Sequence, residues 1–468
     1  MTAADATSLV IDIGKTNIKI HVLDRSHNNL ATFNKKNSVF HNAFYDAVDV
    51  DGIWTWIIKT IKICSQNFQI NSLVVSGHGA TGALIDTSKG EDGLVLPIMD
   101  YEWNGLESVN VEYEGIRPSF EETFSPSLPA GLNFGKQLFW QQKNFPEEFK
   151  NANAILMYPQ YWSWRLTGNL SSEVSSIGCH TDLWAPSSKK FSSLVVEQSW
   201  SKLFPPFANA WDVIGTVSKD VADATGLNSS CVVHVGVHDS NASYLRYLLS
   251  KRNDEFCVIS TGTWVVCMSS QESLGCLDSS KDMLANINVE GQPVPCIRFM
   301  GGREYEMICS LTNCSSDQIV NDDDIKQIIV DGVMALPSFS NGNGPYGKNR
   351  SEILGIPKNG AALATIYCAL MISCCLKKLN TQGDVIMDGS FLKNPILCRL
   401  VARLCGSKKL YISNDEAGTV KGAAQLTQWS QSPILELEKC EPYNVKGLDL
   451  YVSSVSYTHL TLPTIAEV

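Results

Sequence analysis

Residues 9–24 read LVIDIGKTNIKIHVLD, and the side chains at the centre of this run suit phosphate chemistry. Asp12 stands where a carboxylate can face a hydrated magnesium ion. Gly14 lets the backbone approach a ligand closely. Thr16 and Asn17 offer hydrogen-bond donors to phosphate oxygens, and Lys15 or Lys19 adds positive charge. A hairpin with a polar tip would serve structure alone, but it needs no Asp-x-Gly-Lys-Thr-Asn-x-Lys order. No Gly-x-x-x-x-Gly-Lys-Ser/Thr run opens a helix here, so this is not a Walker loop. A second turn of the same kind, Ser260-Thr261-Gly262-Thr263-Trp264, lies deep in the chain.

The elements around these turns have a repeated pattern. An apolar run, Leu9-Val10-Ile11, enters the first turn, and Ile18, Ile20 and Val22 leave it in alternation, which predicts two strands. Residues 256–260 and 265–268 flank the second turn in the same way. Two such units predict two related domains, 1–243 and 244–454, with a cleft between them. Helical spacing marks residues 53–64, and a strand over 72–76 runs into Gly77-His78-Gly79-Ala80-Thr81-Gly82. A strand at 231–236 leads to His238-Asp239 and a helix. A strand at 384–387 leads to Asp388-Gly389-Ser390, and a small-residue helix spans 416–427. Residues 100–210, rich in Tyr, Trp, Pro and Asn, read as an irregular insertion that shapes specificity.

Composition bounds the rest. The chain has 468 residues, 44% of them hydrophobic and 18% charged, with a net charge of −11. This predicts globular domains and disfavours a nucleic-acid or anionic-membrane partner. Fifteen cysteines without a Cys-x-x-Cys pair are read as reduced core thiols in a cytoplasmic protein. The most apolar stretch, 361–376, is read as a buried helix. Residues 455–464, VSYTHLTLPT, resemble translated sequencing adapter, so 455–468 is read as a dispensable, non-native tail.

Taken in order, the motifs resemble one family. Asp12-x-Gly14-Lys15-Thr16-Asn17 is similar to the first phosphate motif of the sugar kinase, actin and Hsp70 superfamily. Arg165-Leu166-Thr167-Gly168, Gly236-x-x-Asp239, Ser260-Thr261-Gly262-Thr263 and a C-terminal Gly-Ala-Ala helix follow. Over nearly the whole length this looks like an FGGY-type carbohydrate kinase. The resemblance implies an α/β fold of two ribonuclease-H-like domains, with sugar bound mainly by the first and ATP mainly by the second.

The resemblance also implies roles. Asp239 would be the general base, although Asp before a helix is equally an N-cap. Asp12, with Asp239, would hold magnesium. Gly14, Lys15, Thr16, Asn17, Thr261, Gly262, Thr263, Gly389 and Ser390 would contact ATP, and Arg303, Glu304 and Asn394 would line the same region. A GNGPY run at 342–346 is either an ATP loop or an ordinary turn.

The sugar pocket departs from the family's commoner pattern. His78 replaces a Gln-Met-His segment, and Asp100-Tyr101-Glu102-Trp103 stands near the usual Trp-x-Asp-x-Arg. His78, Asp100, Glu102 and His238 are the expected sugar ligands. The expected reaction is ATP-dependent phosphorylation of a small ketose such as L-fuculose, L-rhamnulose or xylulose. A polyol or glycerol-type kinase and a non-catalytic nucleotide-binding protein are the alternatives. The partners are then sugar, ATP and Mg2+, and a homodimer is compatible with them.

Overall fold

Leu9, Val10, Ile11 and Ile13 have no exposed surface, which makes the first strand the floor of a core. The structure is a computed structural model that describes residues 6–42, 44–90, 92–251, 254–271, 273–340, 343–347, 351–415 and 417–461. Chain contacts divide it into two units. The first comprises 1–250, 285–293 and 417–434, and the second comprises 251–284, 294–416 and 435–468. The boundary expected near residue 244 falls inside a continuous helix, Asp239–Ser250, and the division comes after that helix ends.

In the first unit the strands are β1 (Ala6–Ile13), β2 (Asn17–Asp24) and β3 (Asn29–Lys36), followed by helix α1 (Val50–Asn67) and β4 (Ser72–Gly77). Helices α2 (Phe134–Asn144) and α3 (Tyr158–Thr167) come next, then β5 (Val213–Thr216), β6 (Val232–His234), β7 (Val237–His238) and α4 (Asp239–Ser250). The sheet order is β5-β6-β4-β1-β2-β3, with β7 also beside β4. β1 runs antiparallel to β2 and parallel to β4. Helix α1 follows from its sequence. Ile53, Ile57, Ile61 and Cys64 are buried on one stripe, and Asp49 caps the start by accepting from the Gly52 amide at 3.0 Å.

The second unit repeats the plan. The strands of its sheet and its helices include β8 (Phe256–Thr261), β9 (Val265–Ser269), β10 (Met283–Ile287, whose residues from 285 on count with the first unit), β11 (Pro293–Phe299), α5 (Gly301–Leu311), α6 (Gly360–Lys378), β12 (Asp384–Gly389), α7 (Pro395–Leu404) and β13 (Leu410–Ile412). After α8 (Gly418–Gln425), which belongs to the first unit, come β14 (Glu438–Cys440) and α9 (Leu448–Thr461). The order is β10-β11-β9-β8-β12-β13-β14. Again the first strand is antiparallel to its successor and parallel to the strand after the crossover. Thus β3-β2-β1-β4-β6-β5 and β11-β9-β8-β12-β13-β14 match in order and direction, and the expected repetition holds.

Two expectations need adjustment and a third holds. Residues 100–210 are a packed layer: Tyr113, Phe134, Leu138 and Trp200 are buried in one apolar cluster with Leu84 and Ile155. Their aromatics are mostly core, where large rings contribute most burial. Helix α6 has mean hydropathy 1.7 over an 18-residue window that is 83% buried, as a core helix should be. At the end of the chain, α9 runs through the boundary expected at residue 454, and Val455 is buried in the second unit's core. That packing contradicts a tail detached from residue 455 onward.

Candidate active site

Asp12 sits near the end of β1, in register with Ser76 on β4, and Ser76 is in turn in register with Val237 on β7. Three parallel strands therefore end side by side, where α/β sheets place their ligands. Asp239 follows β7 as the first residue of α4. Its Oδ1 accepts from the Ser240 amide and, at 3.2 Å, from the Ser240 hydroxyl. Asp239 is thus the first helical residue rather than the cap before the helix. Oδ2 is the oxygen left to take a proton.

The two carboxylates feel each other. Burial, and then the charge of Asp239, push the Asp12 carboxyl up to about 7, against partial relief from Lys19 and Ser76. A half-buried acid held this far above its usual range is a poor resting anion and a good seat for a divalent cation, which would cancel both charges. The residues therefore fit magnesium.

A small open pocket of about 40 Å³ lies in the first unit, lined by Lys15, Asn37, Ser38, Val39, Val48, His78, Thr81, Met99, Asp100 and Tyr101. The Lys15 ammonium bonds both oxygens of Asp100, lies 3.3 Å from a Glu102 oxygen, and stands 4.9 Å from the centre of the Tyr101 ring. His78 meets Tyr101 edge-on at 5.3 Å and Tyr158 at 4.7 Å. Its Nδ1 lies 3.1 Å from the Gly79 carbonyl. Burial lowers the His78 pKa and so favours its neutral form, although the Gly79 carbonyl, Asp239 and Asp100 oppose the shift.

The structure therefore brings Asp12, Lys15, His78, Asp100, Glu102 and Asp239 into one unit, with Lys15, His78 and Asp100 lining one pocket. His238 is different. It is buried behind Asp239, with Nε2 at 3.4 Å from Asp239 Oδ1 and Nδ1 at 3.2 Å from Asn241 Nδ2. It packs on Gly79, where a Cβ would stand 2.7 Å from Nε2. His238 packs against Asp239 and, like Asp239 itself, is not among the residues that line this pocket. Gly14 closes its turn by donating its amide N–H to the Asn17 carbonyl at 3.0 Å, leaving Thr16 and Asn17 exposed.

In the second unit, Thr261 ends β8. Its hydroxyl donates to the Asp388 carbonyl at 2.6 Å and accepts from the Phe391 amide at 3.0 Å. That hydroxyl is committed to tying β8 to the turn after β12. Gly389 has φ +91°, and a Cβ there would stand 2.0 Å from the Thr261 carbonyl oxygen, so only glycine fits. Gly262, Thr263 and Ser390 remain at the strand ends, with Thr263 and Ser390 exposed.

Two of the expected ATP-side residues are structural. Glu304 is buried and accepts from the Ser340 and Tyr367 hydroxyls. Asn394 caps α7, accepting from the Leu397 amide at 3.1 Å. Gly342, the first residue of the GNGPY run, lies outside the described residues.

Sequence reasoning missed Tyr101 and the wall made by Asn37, Ser38, Val39, Val48 and Met99. Nothing local distinguishes these residues, whereas Thr81 sat within a glycine-rich turn that was already suspect.

Comparison with known proteins decides the family. Residues 7–245 match the N-terminal domain of the FGGY family of carbohydrate kinases, and residues 253–434 match "Carbohydrate kinase FGGY, C-terminal domain". The chain belongs to the FGGY family of carbohydrate kinases. This FGGY chain is similar to a crystallised carbohydrate kinase from Novosphingobium aromaticivorans, with 30% identity, TM-score 0.90, and 98% of this chain and 99% of that one covered. A ligand-bound xylulose kinase from Lactobacillus acidophilus shares the fold, with TM-score 0.77 at 16% identity and 97% of each chain covered. Among curated relatives, an L-fuculokinase of Salmonella typhi is 24% identical over 269 residues, 56% of each chain. A rhamnulokinase of Enterobacter sp. is 24% identical over 255 residues, covering 51% of this chain and 49% of that one. The chain thus spans about half the length of the curated relatives it matches.

Proposed function

We propose that this FGGY protein transfers the γ-phosphoryl group of ATP to a hydroxyl of a small sugar. The observation that carries the reading is Asp239, seated after β7 with one free carboxylate oxygen and close enough to Asp12 for the two charges to couple. In this mechanism Asp239 Oδ2 accepts the proton of the sugar hydroxyl. The freed oxygen attacks the γ-phosphorus, the bond from phosphorus to the β–γ bridging oxygen breaks, and ADP leaves. His238 packs beside Asp239, with Nε2 3.4 Å from Oδ1. Magnesium, held by Asp12 and Asp239, would neutralise the phosphate charge. The exposed turns at Thr263 and at Gly389 and Ser390 are suited to nucleotide phosphates, whereas the Gly262 amide is held by the Trp264 carbonyl at 2.9 Å. The first unit would take the sugar and the second the nucleotide.

Ketoses are the favoured acceptors, because curated relatives matching this chain are named L-fuculokinase, rhamnulokinase and xylulose kinase. Val39, Val48 and Met99 give the pocket an apolar side, which suits the methyl end of a 6-deoxy sugar. The free thiols, most of them buried, favour a cytoplasmic setting. ADP formation with ATP and Mg2+ across a panel of ketoses, aldoses and polyols tests the reading. Acceptor-dependent ADP release is expected with a ketose. No acceptor-dependent release across the panel would leave a nucleotide-binding protein without this activity.

A further inference from the structure

Lys15 belongs by sequence to a turn suited to phosphate, yet its ammonium is engaged elsewhere. It bonds both oxygens of Asp100, a residue 85 positions away, and pairs with Glu102 at 3.3 Å. Asp100 is itself fixed: only 7% exposed, its amide donates to the Asp46 carbonyl at 2.8 Å and its Oδ1 accepts from the Glu102 amide at 2.8 Å. The Tyr101 ring covers the ammonium at 4.9 Å. Lys15, Asp100 and Tyr101 all line the pocket described above, and Glu102 stands at Lys15.

Two chemical consequences follow. The ammonium has three donors and the carboxylate several acceptor sites, side by side on one wall. That arrangement matches a vicinal diol, in which one hydroxyl accepts from Lys15 and its neighbour donates to Asp100. The local charge is also one cation against Asp100 and Glu102, with His78 favoured in its neutral form by burial and Asp239 near it. A carboxylate on the sugar would enter a site already carrying excess negative charge.

We propose that the Lys15–Asp100 pair is the specificity element of the acceptor pocket, selecting neutral sugars or polyols with a vicinal diol and rejecting sugar acids. The inference rests on the kinase reading above and takes Lys15 away from the nucleotide.

Steady-state kinetics of Lys15→Met separates the two roles. Loss of a charge-assisted hydrogen bond should raise the acceptor KM about ten- to a hundredfold, while the KM for ATP stays within about twofold. Lys15→Arg keeps the charge and should restore most of the acceptor affinity. Asp100→Asn combined with Glu102→Gln leaves Lys15 unneutralised and should admit D-gluconate, which the parent refuses.

A raised ATP KM with an unchanged acceptor KM in Lys15→Met would overturn the inference and return Lys15 to the phosphates. Gluconate turned over by the parent as readily as the best neutral acceptor would also overturn it. Should no acceptor be phosphorylated, the kinase reading falls first, and thermal shift with the same neutral panel decides this one. Stabilisation by a neutral diol that disappears in Lys15→Met supports it. Equal stabilisation of both proteins, or of neither, overturns it.

Discussion

Replacing Asp12 by Asn should make the metal-free protein more stable at alkaline pH while removing its cation seat. The Asp12 carboxyl rises from an ordinary 3.8 to about 7 in the folded state, through burial first and Asp239 second. An acid with a raised folded pKa binds its proton more tightly when folded. Its stability cost is absent below the unfolded value, grows as pH rises from about 4, and is complete above about 7. Three units at 1.36 kcal/mol each set a ceiling of about 4 kcal/mol. Solvent at this half-buried group reduces the figure to about 2 kcal/mol.

Asn is nearly the same size and carries no charge. The expected gain is therefore about 2 kcal/mol at pH 8, shrinking to a few tenths at pH 4. Urea unfolding in chelator, read by tryptophan fluorescence, gives the answer. Of the eleven tryptophans, all but Trp264 lie in the first unit, so the signal reports the unit that holds Asp12. Adding Mg2+ at pH 8 should narrow the difference, because the parent gains from binding and the variant does not. A variant no more stable than the parent at pH 8, or one with the same gain at pH 4, would refute the charge argument.

Asp239→Asn should leave the fold and sugar binding intact while lowering turnover by about 10²–10⁴-fold. A folded variant turning over near the parental rate would remove Asp239 from the chemistry. Gly389→Ala must place a Cβ 2.0 Å from the Thr261 carbonyl oxygen at φ +91°, and should cost the second unit about 3 kcal/mol or more in denaturation. Val455→Ala should lower stability by about 1 kcal/mol, since Val455 is buried in the second unit's core. An unchanged melting temperature would show that the segment contributes nothing there.

Local signals were legible in the sequence and long-range ones were not. The turn after β1 and the turn after β8 were readable because apolar strands and Gly/Thr punctuation lie within a few residues of each other. Asp12 and Asp239 were readable as candidates because the motif order singled them out. The partner of Lys15 was not, since the pair forms only when β1 and the segment at Asp100 are brought together by the fold. His238 was singled out because an imidazole suits polyol recognition, and its contacts with Gly79, Asp239 and Asn241 could not be read from the sequence. Thr261 looked like a phosphate donor, and its hydroxyl is instead satisfied by Asp388 and Phe391. The aromatic-rich middle read as irregular because its core contacts join short elements with no sustained period.

The return of residues 417–434 to the first unit has a consequence for how the chain is made. Val420, Ala423, Ala424 and Leu426 bury themselves with Val10, Val74, Val237, Ala242 and Leu245, and Trp429 stacks on Trp211 with ring centres 3.7 Å apart. During vectorial synthesis the ribosome delivers the N-terminal unit first but withholds this last piece until nearly the whole chain has emerged. The nascent unit must wait with an apolar face uncovered while the residues of its neighbour are being translated. A fragment ending at Ser250 would stay in that state permanently and should bind chaperones or aggregate. Co-expressed peptides spanning 285–293 and 417–434 should rescue it.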